Sequence, residues 1–165
     1  MLKKILKRTF QILILAFIVI QFFRPVKNKA EGTSNNDISK LYSVPENVQS
    51  ILKTSCYDCH SNNTVYPWYA QIQPVAWWLN DHIKHGKGDL NFSEFATYSI
   101  RRQYRKLEEV NDLVKKGEMP LDSYLWVHKD AILSEQQKLT LANWVTAVRD
   151  TIKATYPADS LVKKK

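Results

Sequence analysis

The five residues Cys56-Tyr57-Asp58-Cys59-His60 contain both cysteines of the 165-residue chain and one of its four histidines. The pattern C-x-x-C-H is typical of covalent c-type haem attachment. Two thiols at this spacing can each add to one of two vinyl groups on an edge of the porphyrin, and the adjacent imidazole can bind the iron. The motif therefore predicts one covalent haem c, held by Cys56 and Cys59, with His60 as an axial iron ligand.

Two other kinds of site use the same residue types. A thiol–disulfide oxidoreductase places C-x-x-C between a strand and a helix, but no alternation of strands and helices surrounds residue 56. A zinc site could combine Cys56 and Cys59 with His82 and His85, although the two-residue gap between these histidines is shorter than usual. Both stay open as alternatives to haem.

The second axial ligand of such a haem is expected to be a methionine or a histidine. Met119 is the main candidate, because it lies in Gly117-Glu118-Met119-Pro120, directly after a predicted helix end, where extended backbone can turn a thioether toward iron. His82 is the alternative distal ligand, and its more ordinary role is that of a core histidine. His85 and His128, which lie near lysines, are expected in solvent or at the haem edge.

The hydrophobic pattern predicts two helices that flank the motif. The first begins at Pro45, and its apolar face brings Cys56 to the core. The second runs from Pro74 to His85 and is ended by Gly86. The residues that share its predicted core-facing side are Val75, Trp78, Leu79 and His82.

Two further helices complete the predicted fold. Residues 93–94 open the third, Gly117 ends it, and its charged middle from Arg101 to Lys106 is expected to face solvent. Ser134 and Gln137 match a capping box at the start of the fourth. The apolar stripe of the fourth helix is Leu141, Trp144, Val145, Val148 and Ile152. Because no segment shows the alternation of a strand, we expect an all-α fold of about four helices.

The amino terminus resembles a membrane-insertion signal, since the basic residues among positions 3–8 precede an apolar run from Thr9 to Phe23. Bulky residues stand where a cleavage site would need small ones. We therefore favour an uncleaved signal anchor over residues 1–24, a single transmembrane helix in the inner membrane with the haem domain facing the periplasm, and a cleaved signal is the alternative. A flexible tether (25–44), the c-type haem-binding domain (45–156) and a basic tail (157–165) follow.

The formal net charge of +8 is concentrated at the two ends of the chain. Without the first 30 residues and the three final lysines, 14 basic residues stand against 16 acidic ones, a net charge of −2. Nucleic acid is therefore not an expected partner. Two cysteines cannot form a disulfide framework, and only four glycines argue against a low-complexity chain.

Four stretches carry a likeness to known proteins, namely CYDCHSNNT (56–64), YPWY (66–69), NFS (91–93) and GEMP (117–120). They resemble the bacterial haem-binding domain family of small membrane-anchored monohaem proteins and are similar to class I cytochromes c, over about residues 40–155. The resemblance implies a cytochrome c-like bundle around one haem and Met119 as the sixth ligand. It also implies that a proline carbonyl accepts the hydrogen bond from Nδ1 of His60. Pro74 is matched to that position, and Pro67 is the weaker match.

The sequence departs from a compact cytochrome c in an aromatic segment over residues 64–79. Trp68, Tyr69 and Trp78, together with Tyr66 and Trp77, supply enough flat apolar area to wall a porphyrin. The simpler interpretation is that these side chains fill the core of a small domain. Because a haem is itself part of such a core, both roles can hold.

These features together favour a membrane-anchored electron carrier that exchanges electrons with redox partner proteins and is not an enzyme. Lys163–Lys165 and the cluster Arg101–Lys106 could dock acidic partners. The first alternative is a haem-based peroxidase or small-ligand sensor in which the iron keeps an open site. The second is a cofactor-free, membrane-tethered interaction module.

Overall fold

The computed structural model describes residues 1–162, and within them the chain is helical with no β-strand, which confirms the all-α class. The lysines 163–165 of the predicted basic tail lie outside the described residues. The α-helices are α1 Leu2–Ile20, α2 Ile38–Leu41, α3 Glu46–Ser55, α4 Tyr57–His60, α5 Val75–Asp89, α6 Ile100–Lys116, α7 Asp122–Leu125, α8 Glu135–Thr155 and α9 Ala158–Leu161. The 3-10 turns are Trp68–Gln71, Phe92–Thr97 and Lys129–Ala131.

The core lies where α8 packs against α3 and α6. The predicted capping box of α8 is confirmed: the Gln137 N–H donates to the Ser134 hydroxyl over 3.2 Å, and the Ser134 N–H donates to the Gln137 side chain over 2.9 Å. The predicted stripe of α8 is buried throughout. α3 begins after Pro45, as predicted, and also buries its apolar face. Since each large aliphatic side chain contributes about 1.5–3 kcal/mol on full burial, these faces hold the bundle together.

Helix α5 differs from its prediction both in its end and in the face it buries. It continues past Gly86 to Asp89. Ala76 and Ile83 are buried, whereas Val75 and Trp78 are exposed. The predicted core-facing side is wrong, because α5 packs against α4 and the 3-10 turn Trp68–Gln71 through a different face.

The third predicted helix is two separate elements. In the 3-10 turn Phe92–Thr97, Phe92 and Phe95 are buried, and the backbone is extended at Tyr98 before the Ser99 side chain caps α6. The predicted continuous helix is therefore interrupted, because the two phenylalanines pack into the core from a separate 3-10 turn. The predicted end at Gly117 is confirmed, since its φ of +74° is the left-handed conformation that favours glycine.

The charged middle of α6 is only partly solvated. Gln103 and Lys106 are buried, which corrects the expectation that the whole segment faces solvent. The Lys106 amine, on a side chain only 5% exposed, lies 2.5 Å from an Asp89 carboxylate oxygen and 2.6 Å from one of Glu109. Two carboxylates thus compensate for its burial.

The amino-terminal helix α1 has no buried residue, and its large apolar side chains are exposed except that of Ile20, which is half-buried. Within residues 1–162, no helix combines the length and the apolar character needed to cross a membrane.

The segment predicted as a flexible tether is attached to the domain. The Asn28 amide group donates to the Ser61 carbonyl and to the Thr64 hydroxyl, both over 2.9 Å. Further along, Ile38 is completely buried in the core. The polar composition suggested a solvated linker, but its side chains satisfy polar groups of the loop that follows the C-x-x-C-H motif.

Candidate functional site

Cys56, Cys59 and His60 of the motif line a cavity of about 330 Å³. Cys56 lies between α3 and the short helix α4, which carries Cys59 and His60. The other walls are formed by α5 and by the segment 119–124, which follows α6. The remaining lining residues are Ser55, Asp58, Asp81, His82, His85, Gly86, Asp89, Met119, Pro120, Leu121 and Tyr124. This size lies within the range of small-molecule and cofactor sites.

A smaller cavity of about 60 Å³ adjoins the first and shares Cys56, His60 and Met119 with it. Its other walls are mainly apolar. They include Leu90, Phe92, Val110, Leu113, Val114 and Leu133. The two cavities together form an apolar cleft between the motif and α6, and none of these six residues was predicted as a site residue.

The imidazole of His60 is held by the end of α5. Its Nδ1 lies 3.1 Å from the Gly86 carbonyl oxygen and 3.0 Å from the Leu90 carbonyl oxygen. A proton on Nδ1 therefore donates to the backbone and leaves Nε2 as the nitrogen that can bind a metal.

The acceptor predicted from the family resemblance was Pro74, and this prediction is wrong. The Pro74 carbonyl instead accepts the N–H groups of Trp77 and Trp78 in the first turn of α5. Pro74 and Leu90 flank opposite ends of this 15-residue helix, which is about 20 Å long. His60 lies at the far end, where the carbonyls of the last turn are available.

Gly86 allows α4 and α5 to approach each other closely. A Cβ atom at residue 86 would lie 2.8 Å from the carbonyl oxygen and 3.1 Å from the Cβ of Cys59. The sequence pattern suggested that this glycine ends the helix. Its role is instead to bring the α5 backbone within hydrogen-bonding distance of His60.

Both cysteines are free thiols with raised pKa values. Burial, and secondarily Cys59, raises the pKa of Cys56 to about 12. Burial, and secondarily Asp58, raises the pKa of Cys59 to about 11. Thiol–disulfide catalysts need a lowered thiol pKa, so this environment disfavours the oxidoreductase alternative.

The zinc alternative lacks an assembled set of ligands. In residues 1–162, no group of three or more His, Cys, Asp or Glu side chains is arranged to hold a metal ion. The Nδ1 atoms of His82 and His85 each lie 2.9 Å from the carbonyl oxygen of the residue four positions earlier in α5.

Both candidates for the second axial ligand lie at the cleft. Met119 lines both cavities, and its backbone is held after Gly117 by a 3.3 Å hydrogen bond to the Leu113 carbonyl. His82 lines the larger cavity, and its ring packs on Trp78 with 4.3 Å between centroids. His85 lies at the same cavity and is largely exposed, as predicted.

The aromatic wall predicted for the porphyrin is not found in the cleft. Trp68 is 77% exposed, the Tyr69 hydroxyl lies 2.8 Å from His128 Nε2, and Trp78 is 48% exposed. None of these three residues lines either cavity. Two other aromatic residues of the segment contact the amino-terminal region instead: the Tyr66 hydroxyl accepts from the Asn28 N–H, and the Trp77 indole donates to the Phe23 carbonyl.

Tyr124 is an aromatic wall residue that the sequence analysis missed. Its hydroxyl donates to an Asp58 carboxylate oxygen over 2.9 Å, and its ring stacks on His128 with 4.2 Å between centroids. Burial, and then the charge of Asp58, raises the pKa of Tyr124 well above its ordinary value, so the hydroxyl stays protonated as a donor. The feature of the sequence that could have indicated this role is the three-residue spacing of Leu121 and Tyr124 after Pro120.

Glu94 connects the loop after the motif to the amino-terminal segment. Its carboxylate accepts hydrogen bonds from the Asn62 amide at 2.7 Å, the Asn36 amide at 2.9 Å and the Ser34 hydroxyl at 3.2 Å. The hydrogen bond from Asn36, followed by those from Asn62 and Ser34 and the charge of Lys87, lowers the pKa of Glu94 despite its burial.

The donor set of the cleft fits a haem. Two free thiols line an apolar cleft beside an imidazole whose Nδ1 is engaged by backbone carbonyls, and a thioether from another segment reaches the same cleft. No curated protein and no solved structure gives a significant match to the chain. Residues 15–147 match the family described as a haem-binding domain. The chain therefore belongs to the haem-binding domain family.

Proposed function

We propose that the protein is a monohaem c-type cytochrome that carries one electron at a time between redox partner proteins. The observation that supports this most directly is the convergence of Cys56, Cys59, His60 and Met119 on one apolar cleft. A haem bound there would supply an iron centre that is reversibly oxidised and reduced.

Each of these side chains has a separate role in the proposal. Cys56 and Cys59 would hold the haem covalently at the edge formed by α4. His60 would be the proximal ligand, with its ring orientation set by the two carbonyls at the end of α5. Met119 would be the distal ligand and would raise the reduction potential relative to a second histidine. Two protein ligands would leave no open iron position, which suits an electron carrier rather than an enzyme.

We further propose that the amino-terminal segment anchors the protein in the inner membrane and that the haem domain faces the periplasm. The exposed apolar side chains of α1 and the basic residues at its start support this arrangement. Covalent attachment of haem outside the cytoplasm is consistent with the same topology.

The first test is the visible spectrum of the protein produced in a host that attaches c-type haem. We expect the colour to remain with the polypeptide after denaturing extraction. We also expect the oxidised protein to show the weak long-wavelength band of methionine–iron ligation, and Met119→Ala to lose it. His82→Ala is the matched control at the same cavity and should keep the band.

Other results would contradict parts of the proposal. Absence of the band together with rapid binding of carbon monoxide to the reduced protein would favour the peroxidase or sensor alternative. A parent spectrum that is low-spin without the band, and that becomes high-spin in His82→Ala but not in Met119→Ala, would make His82 the distal ligand. A colourless folded product would contradict haem binding through the motif.

A further inference from the structure

The end of α1 is joined to the beginning of α5 by a set of hydrogen bonds. The Gln73 N–H donates to the Gln21 side-chain oxygen at 2.9 Å, and the Gln21 amide group donates back to the Gln73 carbonyl at 3.3 Å. The Phe23 carbonyl accepts from the Gln73 side chain at 2.9 Å and from the Trp77 indole at 2.7 Å. Gln73 is completely buried. The proposed anchor is thus attached to one side of the haem domain instead of ending in a free linker.

Large apolar side chains are exposed around this junction. We call them the tryptophan face, and they are Phe22, Phe23, Val26, Val75, Trp77 and Trp78. Phe22 and Phe23 follow the end of α1, and Val75, Trp77 and Trp78 lie in the first turn of α5, which the hydrogen bonds above join to it. Tryptophan combines a broad apolar ring with a polar N–H group, and it is enriched where membrane proteins meet the lipid headgroups.

Basic side chains border the tryptophan face. Arg24 and Lys27 lie in a groove with Ala76 of α5, and Lys84 lies in a neighbouring groove with Val26. Asp81 faces the haem cleft and pairs with His85. Exposed apolar rings bordered by positive charge suit a membrane surface that contains anionic lipids.

We infer that the tryptophan face lies on the lipid surface and holds the haem domain in one orientation. This inference rests on the proposed membrane attachment and adds a second contact, formed by the folded domain itself. Trp77 and Trp78 then lie in the headgroup layer. Because His82 packs on Trp78 and also lines the larger cavity, the haem cleft opens beside the membrane surface.

The test uses the full-length haem-loaded protein in vesicles of phosphatidylcholine and phosphatidylglycerol. The vesicles contain a lipid with a photoreactive group near its headgroup, and mass spectrometry locates the cross-linked residues. We expect cross-links on residues 9–23 and also on Val75, Trp77 and Trp78. Trp68 and Trp126 are internal controls, because they are more exposed than Trp77 and Trp78 but lie outside the tryptophan face.

Two variants strengthen the experiment. Trp78→Glu should lower cross-linking of Val75 and Trp77 several-fold while the anchor keeps its cross-links. Trp126→Glu, an equivalent change elsewhere on the surface, should leave the pattern unchanged. Both variants must retain the visible spectrum of the parent, which shows that the haem domain is folded.

The outcomes separate this inference from the proposal on which it rests. Cross-links confined to the anchor would overturn the inference and keep the membrane attachment. Absence of cross-links everywhere would overturn both. Protection of Trp77 and Trp78 from chemical oxidation in native membranes, without lipid cross-links in vesicles, would assign the face to a protein partner and overturn the inference.

Discussion

Gly86 lies so close to Cys59 that an added Cβ atom would be 2.8 Å from the Cys59 carbonyl oxygen. The same glycine offers its carbonyl to Nδ1 of His60 at 3.1 Å. One residue of α5 thus sets both the distance between α5 and the motif and the orientation of the proposed iron ligand.

Gly86→Ala should therefore destabilise the protein. Alanine normally favours a helix over glycine by about 1 kcal/mol, but overpacking against the Cys59 backbone costs about 1–3 kcal/mol. We expect a net loss in the free energy of unfolding, measured by denaturant titration, and a lower yield of covalent haem. Gly88→Ala is the matched control in the same helix, because nothing lies within 4 Å of its added Cβ. It should be stabilising by about 0.5–1 kcal/mol, and equal stabilisation by both changes would contradict the proposed role of Gly86.

Because of Glu94, the free energy of unfolding should decrease as the solution becomes acidic. The hydrogen bond from Asn36 is the main cause that lowers the pKa of Glu94 in the folded state. The stabilisation of the folded state by Glu94 is therefore complete above the unfolded pKa of about 4.3, and it is lost as the pH falls through the folded pKa. Glu94→Gln should reduce the free energy of unfolding at neutral pH by about 1–2 kcal/mol and flatten its decline in acid. The measurement is denaturant unfolding over a pH series.

The control for Glu94 is Glu31→Gln, which replaces an exposed carboxylate of the amino-terminal segment. Its pH curve should follow that of the parent. If the Glu94→Gln curve also runs parallel to the parent over the whole series, the carboxylate does not connect the segments in solution as it does in the structure.

Lys106→Met should be destabilising although it replaces a buried charge with an apolar group. The change leaves Asp89 and Glu109 without their amine, and because both carboxylates are partly exposed we expect a cost of about 1–3 kcal/mol. Burial alone would lower the pKa of Lys106, but its hydrogen bonds to Asp89 and Glu109 and their charges raise it overall. The stabilisation is therefore present at neutral pH and is lost as the pH rises through the folded pKa.

The alkaline limb of the stability curve tests this assignment. The parent should lose stability in strong base, whereas Lys106→Met should lack that component. Arg105→Gln is the control on the same helix, since Arg105 is largely exposed and reaches Glu109 only at 3.5 Å; its effect should stay within about 0.5 kcal/mol. An equal effect of both substitutions would show that the burial of Lys106 has no special energetic role.

Local patterns were sufficient to predict several elements. The stripe of α8, its capping box and the left-handed end of α6 at Gly117 all agree with the structure. Each depends on interactions within a few residues or on the periodicity of one helix. The C-x-x-C-H motif is local in the same sense, because its spacing alone brings two thiols and an imidazole together.

Tertiary contacts decided the surroundings of that motif. Nothing near His60 in the sequence shows that Leu90, 30 residues away, provides a carbonyl to its ring, and the family resemblance pointed to Pro74 instead. The exposed side of α5 and the position of Tyr124 at the cleft likewise depend on how the elements pack. The sequence by itself determined the all-α class, the stripe and cap of α8 and the grouping of two thiols and an imidazole in one motif, because those are properties of local spacing. Which side of each helix faces the cleft was decided by the tertiary structure, because that depends on contacts between distant segments.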